Sequence, residues 1–221
     1  MMKKNGFTLA EVLITLAIIG VVATLTLPSL MANTAEQQAV TGFRKAMNTL
    51  NEAGQMNAAL EGFDYGQLVS NVAPTAANAQ PDENGQIPRT LWALLANRAQ
   101  VDMTASTNAA SHAGMGTNCN QSVIIFRDGT ALCFTPNDAN TNGAADATIH
   151  AWVDTNGVKA PNTASRCTAS TCAKNGRSIN DQFRITLRGS IAIPGHVTYS
   201  NGVITEGTEP EDNAASWAMR K

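Results

Sequence analysis

Asp138, Asn140, Asn142 and Asp146 bring side-chain oxygens to positions 1, 3, 5 and 9 of a run with Gly143 at position 6, the first half of a calcium-loop pattern. Position 12 is Ile149 rather than a bidentate glutamate, and only two of the four candidate ligands are charged. The run therefore reads as a polar Asn/Asp/Gly turn, with a calcium site as the competing reading. His112, His150 and His196 are scattered over loops and a strand without ligand spacing, and no serine lies in a nucleophile-elbow pattern. No glycine-rich phosphate loop is present. The pattern points away from an enzyme and calls for no resident cofactor.

The four cysteines, Cys119, Cys133, Cys167 and Cys172, allow three disulfide connectivities. Cys119 with Cys133 and Cys167 with Cys172 is the expected pairing, because each pair closes a short local loop. Zinc is the alternative, but Cys167-x4-Cys172 with two distant cysteines lacks the Cys-x2-Cys spacing of the common zinc knuckles.

The most unusual acid is Glu11. It is the one charged residue in an apolar run from Phe7 to Met31, preceded by Lys3 and Lys4. As a helix this run would be about 37 Å long, enough to cross a hydrocarbon core of about 30 Å. The lysines before it, with no basic residue after it until Arg44, place the N-terminus in the cytoplasm and the rest of the chain outside. A carboxylate in lipid costs on the order of 2.5 kcal/mol or more, so Glu11 requires a backbone terminus, a lipid headgroup or another chain as partner. A secretory signal would be shorter and end in a small-x-small site, which this run lacks.

Lys4-Asn5-Gly6 followed by Phe7-Thr8-Leu9-Ala10-Glu11-Val12-Leu13-Ile14-Thr15-Leu16, with Pro28 behind it, resembles the processing site and N-terminal helix of type IV prepilins and type II secretion pseudopilins. The resemblance implies cleavage after Gly6 by a prepilin peptidase and methylation of the new N-terminus at Phe7. It also implies that Glu11 pairs with the freed amine of a neighbouring subunit during assembly, and that the helix bends or melts at Pro28. Calcium sites in loops of some pseudopilins bear on Asp138 in the same way. A second segment, Asp154-x-Asn156-Gly157-x-Lys159-x-Pro161-Asn162 and then Asp181-x-Phe183, is similar to one found in many prepilin-like proteins and reads as a structural turn, a metal role being the alternative.

These residues call for a long helix carrying a globular domain. Residues 1–6 form the leader, 7–62 the transmembrane and assembly helix with weak points at Gly20 and Pro28, and 63–221 an extracytoplasmic α+β domain. Val40, Phe43, Met47 and Leu50 form an apolar stripe at helical spacing, suited to packing on a sheet. A helix is predicted over Pro88–Ala99, and a hairpin over 122–127 and 130–134 turning through Asp128-Gly129. Further strands are predicted at 148–154, 183–188, 190–193 and 196–199. The stretches 73–86 and 104–117 read as surface loops, and 164–177 as a disulfide-tied insertion. The predicted fold is a long hydrophobic-then-amphipathic helix on a small antiparallel sheet.

With 14% charged residues and a net charge of −2, becoming −4 once Lys3 and Lys4 leave, no basic face for nucleic acid is evident. The resemblance implies a major or minor pilin of a type IV pilus-like filament. Its partners would be copies of itself or other pilins, the peptidase, an inner-membrane platform and an assembly ATPase. A type II secretion pseudopilin, or a membrane-anchored adhesin that stays unpolymerised, is the alternative.

Overall fold

The computed structural model describes residues 6–68, 75, 77–104, 106–108, 119, 122–134, 147–167, 179–200 and 203–220, with the side chains of residues 28, 29, 32, 107 and 108 left aside. Helix α1 spans Leu9–Glu61. It continues without interruption through positions 20 and 28, where the sequence predicts weak points; one proline removes one amide donor without ending so long a helix.

Helix α2, Leu91–Arg98, starts later than predicted because Thr90 caps it, its Oγ1 accepting from the Ala93 amide at 3.0 Å. The strands are β1 (Thr107–Asn108), β2 (Ser122–Ile125), β3 (Ala131–Phe134), β4 (Ile149–Asp154), β5 (Gln182–Arg188) and β6 (Ile191–Pro194), forming one antiparallel sheet in that order. A separate hairpin, β7 (Val197–Ser200) and β8 (Val203–Glu206), leads to α3 (Pro210–Arg220).

The turn between β2 and β3 is wider than the predicted two residues. The Phe126 amide donates to Thr130 O at 2.8 Å, and Asp128 Oδ1 accepts from the Thr130 amide at 2.9 Å. An aspartate that bonds an amide two residues on closes such a loop without a primed turn.

The stripe on α1 is buried as predicted: Val40, Phe43, Met47 and Leu50 are at most 5% exposed. They join one core with the inward residues of the sheet, including Ile124, Leu132, Ile149, Val153, Phe183, Ile185 and Leu187. Phe43 stacks on Phe183 with ring centroids 4.4 Å apart. Helix and sheet approach so closely at Gly54 that a Cβ there would lie 2.6 Å from Ser190 O. Tyr65, fully buried beside it, donates its hydroxyl to Leu50 O at 2.7 Å.

Helix α3 closes the core with Ala214, Ala215 and Ala218. Arg44 reaches its last turn, Nε donating to Ala218 O at 2.9 Å and Nη2 to Met219 O at 3.3 Å. A smaller cluster on the opposite sheet face contains Cys119, Val123, Ala131 and Cys133.

Candidate functional site

The N-terminal part of α1 stands apart from this core. Leu9–Leu27 has a mean hydropathy of 2.3, is long and apolar enough to cross a membrane, and has none of its span buried in the protein. Its polar side chains are satisfied along the helix itself. Thr15 donates to Val12 O, Thr24 to Gly20 O and Thr26 to Val22 O, at 2.7 to 3.0 Å. Such back-bonding satisfies hydroxyl donors that lipid tails could not match.

Thr8 and Glu11 form a capping box at the start of the helix. Glu11 Oε2 accepts from both the amide and the hydroxyl of Thr8 at 2.8 Å, and the Glu11 amide donates to Thr8 Oγ1 at 3.3 Å. Of the partners the sequence requires for this acid, the structure supplies the backbone terminus, that of its own helix. The carboxylate thereby folds back toward the junction of Gly6 and Phe7, which lies before the first helical residue, with Phe7 90% exposed. Position 28 lies within α1, 17 residues beyond Glu11.

The loop of Asp138, Asn140, Asn142 and Asp146 lies outside the described residues. Cys119 and Cys133 are joined by a disulfide, their Cα atoms 4.9 Å apart, which ties the segment at Cys119 to the outer face of the sheet. Cys167 is disulfide-bonded as well, and Cys172, its expected partner, lies outside the described residues.

The segment from Asp154 to Asn162 is a hydrogen-bonded turn seated against α1. Asp154 Oδ1 accepts from the Asn156 amide at 3.1 Å, and Oδ2 accepts from Gln182 Nε2 at 2.9 Å, across the β4–β5 register. Asp181 receives the Asn162 and Thr163 amides at 2.7 and 2.9 Å, which holds Asn162 at φ 49°. Gly157, at φ 65°, lies so near Gly129 O that a Cβ would come within 2.5 Å of it. Burial, together with the charge of Asp181, pushes the Asp154 carboxyl up to about 6. A cleft of about 440 Å³ lies between this turn and Gln38 and Ala39 of α1. Among the described residues, no group of three or more His, Cys, Asp or Glu side chains could hold a metal ion.

His112 lies outside the described residues. His150 and His196, without ligand spacing in the sequence, are brought together with ring centroids 3.8 Å apart. Asp212 and Arg184, which sit beside this pair, carry no sequence signal that would have singled them out.

Residues 1–27 match the family model described as the prokaryotic N-terminal methylation motif. No curated protein and no solved structure matches the chain. The motif lies on the exposed apolar helix, and the helix continues into an antiparallel sheet in an α+β layout of the pilin-like kind. That motif, together with that layout, supports reading the chain as a protein of the type IV pilin and pseudopilin type.

Proposed function

We propose that this protein is a structural subunit, a major or minor pilin, of a type IV pilus-like filament. Its prepilin is held in the cytoplasmic membrane by residues 7–31, with Lys3 and Lys4 on the cytoplasmic side and the domain after residue 62 outside. A prepilin peptidase cuts between Gly6 and Phe7 and methylates Phe7, and an inner-membrane platform with its ATPase moves the mature chain into the filament.

The observation that carries this reading is the exposed helix with its acid at the start. Side chains from Leu9 to Leu27 are not buried among the described residues of the domain, so lipid and then the helices of other copies are their natural surroundings. In the uncut chain Glu11 is satisfied by Thr8. Cleavage creates an ammonium at Phe7, and a Glu11 carboxylate from an adjacent copy that meets it offsets much of the cost of two charges in an apolar bundle. The helix thus acts as an anchor before assembly and as the fibre core afterwards, with the sheet and its loops on the surface.

The Glu11→Leu variant tests the reading. It should be inserted in the membrane at native levels and be absent from sheared surface fibres. Normal incorporation of Glu11→Leu into filaments would refute it. A secretion pseudopilin would use the same helix and the same processing; copurification of the native chain with a long surface fibre, rather than with a secretion platform, is the expected result.

A further inference from the structure

His150 lies on β4 and His196 in the turn between β6 and β7, and their rings touch at an angle of 57°. The His196 main chain ties three elements together. Its amide donates to Asp212 Oδ1 of α3 at 2.6 Å, and its carbonyl accepts from the amide of Gly207, just after β8, at 2.6 Å. Asp212 also accepts from the Glu209 amide at 3.2 Å and lies 3.7 Å from Arg184 Nη1 of β5. The β7–β8 hairpin and the start of α3 are therefore fastened to the sheet at the point where the two rings meet.

The hydrogen bonds around Thr186 assign the proton on His150. Thr186 donates its hydroxyl to Gly195 O at 2.8 Å and accepts from the Val197 amide at 2.9 Å. With its one proton committed, Thr186 Oγ1 can only accept from His150 Nδ1, 3.3 Å away. Nδ1 then carries a proton, and Nε2 is the atom of His150 that takes up another.

Arg184 of β5 and Asp212 of α3 are the charged groups that act on His196. One imidazolium can be balanced by Asp212. Two would add like charges in contact beside a guanidinium, while the carboxylate already serves two amides and Arg184. We propose that the His150–His196 contact is an acid-sensitive latch that holds the β7–β8 hairpin and α3 on the sheet and releases them when both rings are protonated. Burial, with the Arg184 charge and against the pull of Asp212, holds His196 below the usual histidine value of 6.5. A histidine depressed in the folded state binds fewer protons there than in the unfolded chain. Its contribution is therefore complete above that usual value and is lost as the pH falls through it.

The test is amide hydrogen exchange on the full chain in detergent micelles between pH 7.5 and pH 5, corrected for intrinsic rates, for the native protein, His150→Phe and His196→Phe. In the native protein, protection at Val197, Gly207 and Asn213 should fall about tenfold or more relative to Ile185 of β5 across this range. In either variant, where one ring cannot charge, the relative protection should stay within about threefold across the range, on the order of half a decade. An equal loss in native and variant chains, or none in the native chain, overturns the proposal. Should the variants fail to fold, the native ring protons followed by NMR decide it. Two separate uptake steps, the lower coinciding with the loss of protection, support the latch, and a single shared step refutes it.

Discussion

Replacing Asp154 by asparagine should raise stability at pH 7.5 and leave it unchanged or slightly reduced at pH 4. The carboxyl is fully buried at the end of β4, accepts from the Asn156 amide and Gln182 Nε2, and faces Asp181. Burial and that neighbouring charge raise it from 3.8 to about 6. An acid raised in the folded state holds its proton there while the unfolded chain has released it, so stability falls as the pH rises from about 4 to about 6 and is then level. A rise of that size corresponds to about 3 kcal/mol above pH 6.

Asparagine abolishes that cost, but its amide would face the Gln182 amide and force it to turn, losing about 1 kcal/mol of hydrogen bonding. The balance is a gain of about 2 kcal/mol at pH 7.5, or about 4–8 °C in Tm for a chain of this size. At pH 4 the carboxyl is already neutral in the folded protein, and only the small loss remains. Thermal melts of native and Asp154→Asn chains in the same micelles, followed by circular dichroism at both pH values, measure the difference. A Tm difference that is the same at both pH values would refute the reasoning.

Two other perturbations test the packing of the long helix and of the outer face of the sheet. Gly54→Ala places a methyl 2.6 Å from Ser190 O and 2.7 Å from the Tyr65 ring, and the overpacking should outweigh the better helix propensity, leaving a net loss of about 1–2 kcal/mol in urea denaturation. A gain in midpoint would show that the β5–β6 turn yields freely. Opening the Cys119–Cys133 bridge with a double serine variant frees a loop of sequence separation 14 and should cost about 3 kcal/mol; an unchanged midpoint would show that the small outer cluster holds that segment unaided.

Much of the fold was legible where bulky apolar residues recur at a clear period. Val40, Phe43, Met47 and Leu50 define the buried face of α1, and β-branched and aromatic alternation marks β2 to β5, each within a residue or two of its ends. Helix α3 was not read from the sequence because the face it buries is alanine around Asp212, with little hydrophobic contrast. Strand β8 was missed because all four of its residues are exposed, so no alternation betrays it.

At the candidate site the contrast has a different cause. Thr8-x-x-Glu11 is itself a capping-box pattern, yet it stands where an apolar span dominates the reading, and the local partner of Glu11 became visible only in the geometry. The contacts of Gln182 with Asp154 and of His150 with His196 join residues 28 and 46 positions apart. Strand register and a β-turn create them, and neither leaves a spacing in the sequence.

The reading as a filament subunit depends on the chain being cut at the Gly6–Phe7 junction, just before the capped helix. Intact-mass and N-terminal peptide measurements on protein from its native membrane or fibre test this most directly. The expected product begins at Phe7 and carries one added methyl group; a chain that retains Met1, or one cut elsewhere in the apolar span, would contradict the account.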